Sequence, residues 1–160
     1  MNTPAAITTA HRPDGYTVSS DPARLDLEAI HAFLTTCYWS AGIPRDTVAR
    51  AVAGSLCFGL YSGDGGAQVG FARLVTDRAT FAYLCDVYVL EEHRGRGLGK
   101  WLIEHALSHP DLSGLRRLLL VTRDAHELYR AHGFRELARP QGHMELHRPD
   151  VYRQAAAVSA

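Results

Sequence analysis

The nonapeptide EHRGRGLGK at residues 92–100 decides how this chain is read. It follows an aromatic and β-branched run, TFAYLCDVYV at 80–89, which is the longest strand candidate in the chain. It precedes a stretch whose apolar side is carried by Leu98, Trp101, Leu102 and Leu107, predicting a helix over 98–108 that Pro110 ends. Between strand and helix, Gly95, Gly97 and Gly99 remove side chains, so the backbone can curl with its N–H groups inward. The helix N-terminus adds partial positive charge. Arg94, Arg96 and Lys100 add cations around the rim. A loop of this kind suits a phosphate or pyrophosphate.

Two common nucleotide patterns do not fit. A phosphate-binding P-loop needs GxxxxGK followed by Ser or Thr; here Gly99-Lys100 is followed by Trp101, and Arg94 stands where the first glycine belongs. A dinucleotide fingerprint needs GxGxxG; the spacing here is Gly95-x-Gly97-x-Gly99, with no acidic residue at the expected later position.

Outward from the loop, Leu56 to Tyr61 and residues 68–75 read as two strands of a hairpin around a Gly-rich turn at 62–66. Asp21-Pro22 opens a helix whose apolar spacing runs through Leu25, Leu27, Ile30, Phe33 and Leu34 to Cys37. A second helix is expected from Pro44 or Arg45 to Ala53. Downstream, 115–122 reads as a buried strand and 124–132 as a short helix, with Asp124 and Glu127 in capping-box spacing and Gly133 as its C-terminal cap. Residues 134–137 and 143–147 are expected as closing strands. The polar stretch 1–15 reads as a flexible N-terminal arm, 16–148 as one domain, and 149–160 as a tail. This order of elements packs most simply as an α/β domain, a mixed sheet with helices on both faces.

Length and composition agree. A chain of 160 residues points to one domain that buries roughly 70% of its unfolded surface. Seventeen basic and 17 acidic residues give a formal net charge of +0, which argues against a nucleic-acid partner. No apolar run approaches the ~20 residues of a membrane span. No signal-peptide pattern opens the chain, and Cys37, Cys57 and Cys85 form no CxxC pair, so a cytoplasmic setting is expected and no metal site. The pairs His105/His109 and His143/His147 lack the HExxH pattern. A hydrolase is disfavoured by the absence of a GxSxG elbow.

Two landmarks carry a resemblance. Arg94-x-x-Gly97-x-Gly99 after the strand ending at Val89 resembles motif A of the GCN5-related N-acetyltransferase (GNAT) family. AHELYRAHGF at 125–134 resembles that family's A-x-x-L-Y-x-x-x-G-F signature, in the family's order and at a suitable separation. The resemblance implies a mostly antiparallel central sheet and a single N-acetyltransferase domain that takes acetyl-CoA and passes the acetyl group to an amine, on a small molecule or a peptide. It implies that the backbone of Val87, Tyr88 and Val89 binds the pantetheine arm, and that the N–H groups of Arg94, Gly95, Arg96, Gly97, Leu98, Gly99 and Lys100 hold the pyrophosphate. Tyr129 takes the place of the general acid. Asp86, a charge in an otherwise apolar strand, is the first candidate for the base, with His126, His143 and Glu145 in reserve, or bulk water instead. Thr122 stands where the family often has Asn, offering a hydroxyl in place of an amide. Tyr38 and Trp39, between the first two helices, are candidates to wall the acceptor site, or else core aromatics; Asp46 and Glu145 could attract a cationic amine. Members of the family often dimerise, although nothing in this chain identifies an interface. The alternative is a non-catalytic acyl-CoA-binding or regulatory module, against which Tyr129 argues.

Overall fold

A computed structural model describes residues 6–63 and 66–153 of the chain. Its centre is a six-stranded sheet in sequence order: β1 (Thr9–His11), β2 (Tyr16–Ser19), β3 (Leu56–Ser62), β4 (Gln68–Thr76), β5 (Phe81–Val89) and β6 (Arg117–Leu120). Neighbours pair antiparallel except β5 and β6, which are parallel. That parallel pair needs a crossover, and helix α3 (Leu98–Leu107) supplies it.

Side-chain alternation sends each strand's residues to two apolar layers. Leu56, Phe58 and Leu60 of β3, Ala72 and Leu74 of β4, and Ala82 and Leu84 of β5 pack with Leu98, Leu102, Ile103 and Ala106 of α3. Cys57, Phe71 and Tyr88 face the other way, against Ile30 and Leu34 of α1 (Leu27–Leu34) and Val48 of α2 (Arg45–Ala53). The mixed, mostly antiparallel sheet covered on both faces is the architecture the sequence implies.

The register of β4 on β5 slips once. Phe71 pairs with Tyr88 and Arg73 with Cys85, so Asp86 and Val87 together oppose the single Ala72. This is a β-bulge, and Asp86 takes the left-handed conformation, φ 52°. The extra residue reverses the parity of β5. Ala82 and Leu84 face α3 before the bulge, Val87 and Val89 face it afterwards, and Tyr88 is free to stack on Phe33 of α1, ring centroids 3.7 Å apart and 10° from parallel.

Four sequence expectations are corrected. Residues 9–11 of the supposed arm form β1, held to β2 by the ladder and by polar cross-strand pairs, Thr9 Oγ1 with Ser19 Oγ at 2.8 Å and His11 Nδ1 with Thr17 Oγ1 at 2.9 Å; residues 1–5 lie outside the described residues. The first helix does not begin at Pro22. Asp21 caps only a 3₁₀ turn, Pro22–Arg24, and Asp26 caps α1 by accepting from the Ala29 N–H at 3.0 Å. The closing strands at 134–137 and 143–147 do not form: Met144 and Leu146 are 99% and 76% exposed, so no described neighbour rewards an extended pairing there. The tail, as far as residue 153, is not featureless, since Tyr152 packs on the α1–α2 layer.

Burial of titratable groups predicts how this fold responds to alkali. Burial pushes the Cys57 and Cys85 thiols and the Tyr61 phenol up to about 12, from ordinary values of 9.0 and 10.0. Each folded value lies above its unfolded value, so the contribution to stability is complete below the unfolded value and is lost as pH rises toward the folded one. The melting temperature is therefore expected to stay level to about pH 8 and to fall between about pH 9 and 12. A level Tm through that window would show that these groups ionise in the fold.

Candidate active site

The site lies where β5 parts from β6. Parallel pairing runs from Phe81↔Arg117 to Leu84↔Leu120 and stops, while β5 continues five residues to Val89. Beyond Leu84 the β6-facing edge of β5 has no strand beside it among the described residues. Val87, Tyr88 and Val89 stand on this stretch, past the bulge.

The chain then turns through Glu91–His93 into α3, whose N-cap is Gly97. Gly95 and Gly97 have φ of 74° and 71°, a region that suits glycine. A Cβ at either would meet nothing within 4 Å, so the requirement there is conformational and the space beside the loop is open. No side chain caps α3. Helix geometry leaves the first N–H groups, those of Leu98, Gly99 and Lys100, without intrahelical partners. Bare donors at a helix start, with its dipole behind them, form an anion cradle. Of the three rim cations, Arg94 is tied down by its Nε–H, which donates to the Val89 carbonyl at 2.9 Å; Lys100 lies 3.9 Å from Glu104 on the open helix surface, and Arg96 is exposed.

The loop is braced from the N-terminal hairpin, which sequence reasoning missed by treating 1–15 as an arm. The Arg12 guanidinium donates to the Arg96 carbonyl at 3.1 Å, lies over the Trp101 ring and pairs with Asp14 at 2.8 Å. The Tyr16 hydroxyl and His93 Nδ1 share a hydrogen bond of 2.8 Å.

Asp86 sits on the bulge with both carboxylate oxygens engaged. Oδ1 accepts from the Trp39 indole N–H at 3.0 Å, and Oδ2 accepts from Arg73 Nε–H at 2.7 Å. Arg73 also donates to Ser55 Oγ at 3.1 Å. The Arg73 and Asp86 side chains are only 16% and 11% exposed. Arg73 was not singled out in the sequence, although the signal existed: it is a lone charge inside the apolar run 68–75, as Asp86 is inside 80–89. Trp39 is brought over the bulge by the loop between α1 and α2, with Tyr38 beside it at 5.1 Å in a T-shaped pair and Phe33 at 6.1 Å. Tyr38 and Trp39 are 54% and 43% exposed, which excludes plain core packing.

Tyr129 comes from α4 (His126–Arg130), beyond β6. The expected capping box is absent. Ala125 is the N-cap, its N–H donates to Thr122 Oγ1 at 3.0 Å, and Glu127 pairs with Arg130 instead. Thr122 thus holds the turn that aims Tyr129. The Tyr129 ring is buried, 9% exposed, and meets Phe134 edge-on at 5.9 Å. Its phenol is pushed up to about 12, chiefly by burial, with Tyr38 and Asp124 adding to it. The reserve residues fare differently: Glu145 and His143 lie on the exposed stretch after α4, and Asp46 is exposed in the first turn of α2. Two clefts, about 770 and 370 Å³, run along the outer edge of β6; Tyr129, His126 and Thr122 line the smaller, and Asp86 lines neither. Among the described residues no group of three or more His, Cys, Asp or Glu is placed to hold a metal ion, and no helix is long and apolar enough to cross a membrane.

Known proteins resemble this arrangement closely. A family model for the acetyltransferase (GNAT) domain matches residues 53–136. A Gibberella zeae protein assigned as an acetyltransferase is 38% identical over 135 residues, 71% of this chain and 75% of its own length. A crystal structure from Xanthomonas campestris, of a protein assigned to the same family, is 47% identical with a TM-score of 0.83, covering 89% of this chain and 99% of that one. Glucosamine-6-phosphate N-acetyltransferase from Arabidopsis thaliana, at 13% identity, shares the fold with a TM-score of 0.56, covering 89% and 97%. Fold and relatives together define an acyltransferase, an enzyme domain with parted parallel strands. The chain belongs to the GNAT family of acetyltransferases.

The Arg73–Asp86 pair is the most exacting contact here. Replacing Arg73 by Met leaves the Asp86 carboxylate largely desolvated without its cation, and is expected to cost about 2–4 kcal/mol in chemical denaturation. A loss under about 0.5 kcal/mol would mean that water already screens the pair.

Proposed function

We propose that this enzyme transfers an acetyl group from acetyl-CoA directly to an amine within a ternary complex, without a covalent enzyme intermediate. The observation that carries the reading is the strand edge freed after Leu84, leading straight into the uncapped start of α3. An extended ligand with an amide-bearing arm and a pyrophosphate matches that sequence of donors. The backbone of Val87, Tyr88 and Val89 would pair with the pantetheine arm as a strand would. The N–H groups of residues 94–100 would hold the pyrophosphate, and the exposed Arg96 and Lys100 would add charge at the rim. Acetyl-CoA supplies the activated acyl group; the chain's own residues position it and manage protons.

Tyr129 acts as the acid. With its pKa near 12 the phenol is fully protonated at neutral pH and can give its proton to the departing thiolate. As the amine nitrogen bonds to the acyl carbon the carbon–sulfur bond breaks, and the proton lost by the amine goes to water. Asp86 holds Trp39 and Arg73 through both oxygens, so its role is to position the acceptor wall. The acceptor enters past Tyr38 and Trp39.

Acetyl-CoA at about 100 times its Kd is expected to stabilise the fold by ~2.7 kcal/mol, raising Tm by about 5–10 °C, with little effect from NAD or ATP. The absence of any shift would remove the pyrophosphate site. Tyr129→Phe is expected to keep that shift and to lower kcat by about 10²–10³ with amine acceptors. Wild-type rate should show no alkaline fall before about pH 10, because the raised pKa keeps the acid protonated; a falling limb centred near pH 8 would exclude Tyr129 as the acid.

A further inference from the structure

The opening beside Asp86 has a definite chemical bias. Its inner wall is neutral: the Asp86 charge is compensated by Arg73 at 2.7 Å, and the Trp39 N–H is committed to Asp86. The Asp86 carboxylate is therefore not free to draw in a cationic amine, and the other carboxylate near the opening, Asp124, stands beside Arg123 at the mouth. What the wall presents outward is aromatic surface, from Phe33, Tyr38 and Trp39, together with one cation at the mouth, Arg123.

Arg123 follows β6 in the turn to α4, one residue beyond Thr122. Its guanidinium carbon lies 3.9 Å from the centroid of the Tyr38 ring. Stacking occupies a face of the guanidinium and leaves its in-plane N–H donors for other partners. Asp124 approaches one of those nitrogens only to 4.0 Å, and the two side chains are 67% and 70% exposed, so water weakens this pair. Tyr38 in turn packs edge-on against Trp39, whose indole N–H donates to Asp86 on the bulge, and Thr122, the neighbour of Arg123, lines the same cleft as Tyr129. A ring thus sets a planar, forked donor at the rim of the opening that contains the acid. Such a fork matches a carboxylate, which it can bind through two parallel hydrogen bonds.

The geometry points to an acceptor that carries a carboxylate as well as its reacting amine, an amino-acid-like compound, with Arg123 and Tyr38 as specificity-determining residues. The inference rests on the transfer reaction proposed above and narrows it from any amine to this class. Arg123 grips the carboxylate at the mouth. The amine then reaches inward past the Trp39 edge, and the apolar part of the acceptor lies on the aromatic wall. Because Arg123 touches the acceptor away from the reacting atoms, its contribution falls on KM more than on kcat.

The test compares initial acetylation rates for a panel of free amino acids and the matching carboxamides, in wild type, Arg123→Met and Arg123→Lys, with the acetyl-CoA melting shift measured on all three. The expected result is a preference for the carboxylate of about tenfold or more in kcat/KM, carried by KM. Arg123→Met should bring the two series within about threefold of each other, and Arg123→Lys, which keeps the charge and loses the fork, should fall between. The acetyl-CoA shift should be the same in all three proteins. Equal rates on both series, a preference that survives in Arg123→Met, or acetylation confined to amines without a carboxylate would each overturn the inference while leaving the transfer reaction standing. A wild-type protein with no acetyl-CoA shift would strike the transfer reaction itself and take this inference with it.

Discussion

One extra residue in β5 organises this molecule. At Asp86 the chain enters the left-handed region, which a short polar side chain tolerates better than a β-branched or bulky one. Without the bulge, strict alternation would send residue 86 to the side of Ala82 and Leu84, into the apolar layer beneath α3, where a carboxylate has no partner. With it, Asp86 turns to the α1–α2 side and meets Arg73, and the residues that follow exchange faces. Tyr88 reaches Phe33, and Val87 and Val89 rejoin the α3 layer. The parting of β5 from β6 begins two residues earlier, at Leu84. A single backbone irregularity therefore decides which faces the residues of the unpaired stretch present.

The ion pair at the bulge and the α1–α2 loop are linked through one chain of hydrogen bonds. Arg73 and Ser55 fix Asp86 from beneath, and Asp86 fixes Trp39 from the side. The α1–α2 loop is thereby held over the opening. On the far side, Thr122 and Phe134 set the pose of Tyr129. Burial of the Tyr129 ring is also what pushes its phenol above the ordinary value. Both walls are thus held in place by contacts within the chain itself.

The glycine loop follows a different economy of contacts. Its N–H groups at the start of α3 have no protein partner by helix geometry, while its carbonyl side and flanks are tightly held by Arg12, Tyr16 and Arg94. The braces hold the flanks of the loop while its N–H side stays open. Much of this loop was legible in the sequence, because a strand, three spaced glycines and a helix can be recognised without knowing what lies around them. The same holds for the AHELYRAHGF stretch, which forms α4 and carries Tyr129 into a buried position. The brace from Arg12 and Tyr16 was not legible, because polar residues near a chain end carry no periodic signal and gain their meaning from an edge pairing roughly fifty to eighty residues away in sequence. Nor was the fate of 134–147, where alternating apolar residues suggest strands that the sheet leaves unpaired.

By itself, then, the sequence determined the element types of the core, the glycine-spaced turn from strand to helix at residues 92–100 and the family, since each depends on local spacing and on side-chain chemistry read along the chain. Only the tertiary structure decided what Asp86 does. Its partners lie 13 and 47 residues away, and whether a lone carboxylate in a strand is a free base or half of an ion pair depends on the cross-strand register and on a bulge that no local pattern announces. The position of Arg123 over Tyr38 is of the same kind. It arises because two loops, one after α1 and one after β6, meet over the parted strands, and proximity of that sort is created by packing.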